Sequence, residues 1–150
     1  MAKRNTRPLA TYESTGRIKR GGRSMADTYA RITDSVVLSP AFQDLKPHLQ
    51  MLYIAMRLQD IGKRKPNRDY DEQSAVWEQV RSEQCFYFPF HTARQYCSRY
   101  QGNSGRLYAD IQILVDHGFI DKVVSGKVTR DNSIYRYSDR WQQWKPTIAN

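Results

Sequence analysis

The sequence has little cysteine and no long apolar run. Its two cysteines, Cys85 and Cys97, are too few for the disulfide framework of a small secreted protein, so we expect reduced thiols. No apolar stretch follows the basic N-terminus, so we expect no secretory signal. No segment approaches the roughly 20 apolar residues that a membrane-spanning helix requires. These absences favour a cytoplasmic protein without a membrane anchor.

The motifs of common enzyme classes are also missing. The sequence contains no G-x-x-x-x-G-K-[ST] phosphate loop, no nucleophile elbow and no H-E-x-x-H zinc motif. We therefore expect no catalytic residues and no enzymatic activity. The even spacing of Cys85, His91 and Cys97 suggests zinc, but no C-x-x-C or H-x-x-x-H pair supports it. We expect no bound metal and no cofactor.

Acidic residues are scarce beside basic ones. The chain holds 24 Lys and Arg against 15 Asp and Glu, a net charge of +9. Residues 1–31 alone hold eight Lys and Arg against Glu13 and Asp27. Such a balance indicates a polyanionic partner, usually nucleic acid or an anionic membrane. Residues 1–31 also lack helical or strand periodicity, which predicts a disordered basic tail that either contacts phosphates or serves as a linker.

The first half of the remaining chain carries helix signals. Residues 32–38 predict a short strand or an extended lead-in. Ser39-Pro40 then resembles an N-cap followed by proline at the first helical position, which starts a short helix. Pro47 opens a longer helix with an apolar stripe and a stop at Gly62. Residues 71–83 predict a further helix, and residues 85–90 a short extended segment.

The second half predicts two helices and a hairpin. Thr92-x-x-Gln95 matches a capping box, so a short helix should run from residue 92 to about residue 100. Ser104 is the expected cap of the next helix, which buries Leu107, Ile111, Leu114 and Val115 and ends at Gly118. Residues 119–124 and 133–137 alternate as strands, and the segment between them has turn chemistry and a basic tip.

This order of elements resembles the winged helix-turn-helix family. The resemblance is carried by DIQILVDHGFIDKVVSGKVTRDNSIYRYSDRW, in which LVDHGFI resembles a recognition helix entering the first wing strand. NSIYRYSDRW resembles the return strand of small replication-initiator-like or regulatory proteins of bacterial mobile elements, including plasmids. The implied fold class is α+β and mainly helical, with a C-terminal two-stranded wing. Residues 32–145 would form the domain, with a short tail over residues 146–150.

The resemblance implies that the second helix of the pair, which spans residues 104–117, lies in the DNA major groove. Its outward face presents Arg106, Ala109, Gln112 and Ile113, and Arg and Gln pair well with guanine and adenine respectively. We expect Asp110 to pair with Arg106 one turn away. Basic residues of the first helix and of the wing would contact phosphate. The predicted DNA-binding residues are Arg94, Arg99, Asn103, Ser104, Arg106, Gln112, Lys127, Thr129 and Arg130.

The leading hypothesis is sequence-specific binding of double-stranded DNA, for transcription regulation or replication initiation of a mobile element. The alternative is a winged helix that binds another protein, without sequence-specific DNA binding. A third hypothesis is binding of single-stranded nucleic acid by stacking on Tyr and Phe. A homodimer stays open as a partner, whereas no membrane and no small-molecule substrate is expected. When bound to DNA, the protein would lie on the nucleoid.

Overall fold

The N-terminal part of the domain consists of three consecutive helices. The computed structural model describes residues 17–20, 23–26, 30–59, 85–125 and 133–148. Within them, α1 spans Asp34–Val37, α2 spans Pro40–Asp44 and α3 spans Pro47–Arg57. The predicted cap of α2 is confirmed, because Ser39 Oγ accepts a hydrogen bond from the Phe42 amide at 3.2 Å. The extended lead-in predicted over residues 32–38 is wrong across α1, because the Thr33 carbonyl accepts from the amides of Val36 and Val37 and closes a helical turn.

The next described part contains a strand and a pair of helices. Strand β3 spans Cys85–Tyr87, helix α4 spans Phe90–Tyr96, a 3-10 turn covers Ser98–Tyr100, and helix α5 spans Ser104–Asp116. The capping-box prediction is wrong about the start of α4. Pro89 precedes the first helical residue in extended conformation, and Thr92 is buried inside the helix.

A three-stranded antiparallel sheet completes the domain. Strands β4 (Ile120–Val124) and β5 (Ile134–Tyr137) form the predicted hairpin, and β3 pairs with the other side of β5. The register of β4 shifts between Lys122 and Val124. A second 3-10 turn, Arg140–Gln143, follows the sheet and contacts α2.

Most of the core is one apolar cluster that joins the five helices and the sheet, and Cys85 and Ile134 form a second, small cluster. The stripe predicted on α3 is confirmed, since Leu49, Leu52, Tyr53 and Met56 are buried, although Met51 is exposed. Phe119 follows α5 and lies against Tyr53, Phe42 and Trp141. Trp141 thus closes the core from its C-terminal side. Burial of each such side chain contributes about 2 kcal/mol through the hydrophobic effect.

The segment that was predicted to be disordered contains a small hairpin. Strand β1 (Arg17–Arg20) pairs antiparallel with strand β2 (Arg23–Ala26), with Ile18 opposite Met25. The prediction of no regular structure over residues 1–31 is therefore wrong for these two strands. The signal in the sequence was the Gly-Gly dipeptide between them, which is typical of two-residue hairpin connections.

The architecture confirms the α+β class, with five helices and a small antiparallel sheet among the described residues of the domain. The predicted helix over residues 71–83 and the stop at Gly62 lie outside the described part of the chain. Helix α3 reaches only Arg57, with Leu58 as its C-cap. Arg57 also lies over the Tyr137 ring and donates to the Arg31 carbonyl, so it fixes the start of the domain against the sheet.

Candidate nucleic-acid interface

Helix α5 buries one face and exposes the other. Leu107, Ile111 and Leu114 are buried in the core, as the spacing predicts. Arg106, Ala109 and Gln112 are exposed on the opposite side, which also agrees with the sequence. Ile113 is different, because it is half-buried and packs against the core cluster. The outward face is therefore narrower than predicted on this side of the helix.

Tyr108 is an exposed residue of α5 that the sequence reasoning missed. Its side chain is 54% exposed, which is high for a large aromatic residue. The helical periodicity that placed Leu107 and Ile111 inside also places position 108 on the flank of the buried face. That periodicity was the available signal. The exposed face of α5 consequently combines one arginine, one tyrosine and one glutamine, the side-chain types that are typical of recognition surfaces.

The N-terminal end of α5 is open to solvent. Asn103 is its N-cap and accepts a hydrogen bond from the Arg106 amide at 3.3 Å, so the prediction of Ser104 as the cap is wrong by one residue. Asn103, Ser104 and Arg106 are all exposed and adjacent, as the sequence analysis expected. Gly102 precedes them with φ +80°, the left-handed region that glycine favours. A helix N-terminus of this kind carries a partial positive charge.

Arg94 lies on α4, and Arg99 lies in the 3-10 turn that follows it. The Arg94 guanidinium carbon lies 4.9 Å from the centre of the Phe90 ring, a cation–π distance. The Gln101 side chain donates from Nε2 to the Arg94 carbonyl at 3.3 Å and ties the turn to α4. Arg94 is thus held near the turn, with its side chain exposed.

Asp110 does not pair with Arg106, contrary to the prediction. It is buried, and its Oδ2 accepts from Arg99 Nε at 2.9 Å and from the Tyr100 hydroxyl at 2.8 Å. Its Oδ1 lies 3.8 Å from His48 Nε2. The pairing with Arg106 fails because that side chain lies on the exposed face, while Asp110 faces the interior. Asp110 therefore joins α5 to the 3-10 turn and to α3.

The ionisation of Tyr100 and Arg99 reflects this contact. Burial, and next the hydrogen bond to Asp110, raise the pKa of Tyr100 far above its usual value. The hydrogen bond to Asp110 also raises the pKa of Arg99. The contribution of Asp110 to both shifts follows from its negative charge, which favours bound protons and cations nearby. Tyr100 is buried and Tyr96 is half-buried, and both rings pack on the core.

The C-terminal end of α5 is enclosed. His117 Nδ1 lies 2.8 Å from the Ile113 carbonyl oxygen, and His117 Nε2 lies 2.8 Å from Asp44 Oδ2 on α2. The imidazole stacks on the Trp144 ring at a centroid distance of 4.7 Å. Gly118 then turns the chain with φ +81°, and an added Cβ would lie 2.5 Å from the Trp141 amide nitrogen. Among the described residues, this end of α5 is therefore packed against α2 and the C-terminal 3-10 turn.

The exposed polar face also contains an acid. Gln112 Nε2 donates to Asp116 Oδ1 at 2.9 Å, and both side chains are exposed. Asp116 therefore places a negative charge near the C-terminal end of that face. The basic end of the face is the N-terminal one, where Arg106 lies. Any polyanion on this helix is consequently favoured toward its N-terminus.

Comparisons with known proteins give no match. No family model, no curated protein and no solved structure is significantly similar to this chain. Among the residues that the structure describes, no three His, Cys, Asp or Glu side chains lie close enough to hold a metal ion. No helix in the same residues is long and apolar enough to cross a membrane. The function must therefore be inferred from the geometry of the chain itself.

The wing contacts predicted from the sequence stay a prediction. Lys127, Thr129 and Arg130 lie outside the described residues. The chain is described up to Ser125 and again from Ser133, and Val124 lies opposite Ile134 in the register of β4 and β5. Among the predicted site residues, the structure brings Asn103, Ser104 and Arg106 together at one end of α5. Arg99 is joined to the same helix through Asp110.

Proposed function

We propose that this chain binds double-stranded DNA with α5 as its recognition helix and the β4–β5 hairpin as its wing. The order helix, strand, helix, turn, helix, hairpin supports a winged helix-turn-helix. The net charge of +9 supports a polyanionic partner. The proposed role is sequence-specific binding that regulates transcription or starts replication of a mobile element. The protein acts by binding alone, without a catalytic step.

The observation that carries the proposal is the two-sided packing of α5. Its apolar residues anchor it in the core, while its opposite side stays exposed along a helix about 20 Å long. A major groove about 12 Å wide accepts a helix presented in this way. Because Leu107, Ile111 and Leu114 hold the helix in place, little ordering entropy is lost at its backbone on binding.

The exposed side chains match base edges in the groove. Arg106 lies in the first turn of α5, where its guanidinium donates two parallel hydrogen bonds to guanine. Gln112 lies six residues further on and pairs with adenine after its exposed hydrogen bond to Asp116 opens. Arg94, Asn103 and Ser104 contact phosphate beside the helix. In the same proposal Arg99, Lys127, Thr129 and Arg130 add phosphate contacts, and the basic tail adds affinity that does not depend on sequence.

The experiment compares two single-charge deletions on DNA selected from random sequence. Arg106→Ala should weaken binding to the selected duplex by roughly 1–3 kcal/mol and relax the preference at one base position. The matched control is Lys145→Ala, which removes one exposed positive charge beyond Trp144, at the enclosed end of α5. We expect the control to keep the sequence preference. The measurement is fluorescence anisotropy on selected and scrambled duplexes at several salt concentrations.

The outcomes separate sequence reading from general attraction to DNA. Equal losses for Arg106→Ala on both duplexes would leave a general DNA binder, without base contact at Arg106. Unchanged binding of folded Arg106→Ala to both duplexes would contradict the assignment of α5 as the recognition helix. No selectable sequence, and no binding at low salt, would contradict DNA binding altogether.

A second candidate function is protein binding through the same helix. It is favoured by the exposure of Tyr108, because tyrosine is enriched at the energetic centres of protein interfaces. It is also favoured by Asp116, since an acid repels phosphate. This function would predict that Tyr108→Ala abolishes capture of a protein partner while Arg106→Ala leaves DNA binding unchanged.

A further inference from the structure

Helix α5 contains one buried carboxylate among apolar side chains. The Asp110 residue is 4% exposed, whereas the other acid of the helix, Asp116, lies in solvent. Removing a charge from water is costly unless opposite charges and hydrogen bonds compensate it. At Asp110 the compensation comes from the Tyr100 hydroxyl and from Arg99 Nε, with His48 slightly further away. An apolar side chain at this position would pack without such compensation, so packing alone does not explain a carboxylate here.

Arg99 is the partner that reaches the surface. Its side chain is 40% exposed, and only Nε is engaged by Asp110. Within residues 30–59, 85–125 and 133–148, its two terminal nitrogens make no hydrogen bond. A guanidinium carries five N–H donors in one rigid plane. The hydrogen bond at Nε therefore restrains this plane, and it leaves the terminal N–H donors, which are not bonded within those residues, available to a ligand.

We propose that Asp110 is a positioning residue, which holds the Arg99 guanidinium ready to bind a phosphate of the DNA backbone. Arg99 lies immediately before the exposed turn that leads to the open end of α5, the side on which the groove would lie. Pre-orientation removes the entropy cost of ordering a long side chain on binding. A planar fork also matches the oxygens of a phosphate better than a lysine ammonium does. This inference rests on the proposed function.

The decisive variant is Asp110→Asn, because two accounts predict opposite results. The substitution makes the protein more positive by one charge, so net electrostatics predicts tighter DNA binding. Loss of positioning predicts weaker binding, by about fivefold to tenfold, since one charge-assisted contact is worth about that factor. The matched control is Asp116→Asn, which makes the same change of charge on the exposed face of the same helix. We expect Asp116→Asn to bind DNA as tightly as wild type or more tightly.

Arg99 variants complete the test. Arg99→Ala should lose about tenfold in affinity and about one unit of the salt slope. Adding Asp110→Asn to Arg99→Ala should cost little more, because both substitutions remove the same contact. Arg99→Lys keeps the charge but lacks the fork, and it should recover only part of the affinity. Affinities are measured by anisotropy with a short labelled duplex, after circular dichroism has shown that each variant folds.

The results distinguish this inference from the proposed function. If wild type binds DNA and Arg106→Ala weakens binding, but Asp110→Asn binds as tightly as Asp116→Asn, the positioning role is overturned and the proposed function stands. If wild type does not bind the duplex at low salt, both are overturned.

A measurement on the wild-type chain covers the case in which Asp110→Asn fails to fold. The Arg99 Nε–H signal in a nitrogen–proton correlation spectrum should exchange more slowly with water than that of exposed Arg106. Rotation of the Arg99 terminal groups should slow when DNA is added. Nε–H exchange as fast as that of Arg106, or terminal groups unaffected by DNA, would overturn the inference.

Discussion

A glycine in the left-handed conformation flanks each end of helix α5, but the two glycines lie in different surroundings. Gly102 precedes the helix and Gly118 follows it, with φ of +80° and +81°. A Cβ built on Gly102 meets nothing within 4 Å, whereas a Cβ built on Gly118 lies 2.5 Å from the Trp141 nitrogen. One end is open and the other is packed against the C-terminal 3-10 turn. We therefore expect the C-terminal end of α5 to contribute to the stability of the fold, whereas the N-terminal end is accessible.

The largest expected effect is on the enclosed end. Gly118→Ala should lower the free energy of unfolding by about 3 kcal/mol, because a left-handed alanine is strained and its Cβ overlaps backbone atoms. The matched control, Gly102→Ala, shares the strain but not the overlap and should cost about 1 kcal/mol. Urea unfolding followed by circular dichroism measures both. Equal losses for the two variants would show that the packing at Gly118 adds nothing.

A smaller loss of stability is expected at Tyr100, beneath the N-terminal end of α5. Tyr100→Phe removes the hydroxyl that donates to Asp110 and should lower the free energy of unfolding by about 2 kcal/mol near neutral pH. Tyr96→Phe is the control, since that half-buried ring only packs at the edge of the core. If Tyr100→Phe were neutral, Arg99 alone would satisfy the carboxylate. The stability of this end would then be independent of the buried hydroxyl.

The pH dependence of the stability of Tyr100→Phe gives a second test of the buried hydroxyl. Burial and the Asp110 contact raise the pKa of Tyr100, and burial raises the pKa of Tyr135 to about 12. The unfolded chain then loses its tyrosine protons first, near pH 10, so stability is complete below that pH and falls as pH rises above it. Tyr100→Phe should reduce the loss between about pH 10 and about pH 11 by about 1 kcal/mol. An unchanged alkaline loss would contradict the assigned direction.

The smallest effect is expected at a half-exposed ion pair of the enclosed end. Arg140 donates to Asp121 at 2.6 Å and to the Val115 carbonyl at 3.0 Å. Its side chain is largely in solvent, and Arg136 also contacts the carboxylate. Arg140→Ala should therefore cost only about 1 kcal/mol, and less at high salt. Thermal unfolding at low and high salt measures this loss, with Lys145→Ala as the control. A loss of stability as large as that of Gly118→Ala would contradict the prediction.

Local signals were sufficient for the regular elements and insufficient for the contacts between them. The Ser39-Pro40 cap and the buried face of α5 follow from residues within one or two helical turns, and both are confirmed. The partner of Asp110 is Arg99, 11 residues earlier and across a turn. The spacing rule for helices pointed to Arg106 because it considers only neighbours on the same helix.

Two other errors have different origins. The start of α4 at Phe90 depends on β3 and Pro89, which bring the chain into helical geometry before Thr92. The β1–β2 hairpin was missed because the charge and polarity of residues 1–31 dominated the interpretation over the Gly-Gly pair. Among site residues, the outward positions Arg106 and Gln112 were predictable from periodicity. The contact of Arg99 with Asp110 was not, since it requires the folded turn.

The order of strands in the sheet has a consequence for self-association. With β5 in the middle, β3 and β4 carry the outer backbone edges of the β3–β5–β4 sheet. The outer strand β3 has three residues and soon meets Pro89, while β4 carries Asp121 and Lys122 and an irregular register. Short, charged and distorted edges discourage strand addition from a second molecule. The edges of the β3–β5–β4 sheet therefore discourage pairing with the same sheet of a second copy.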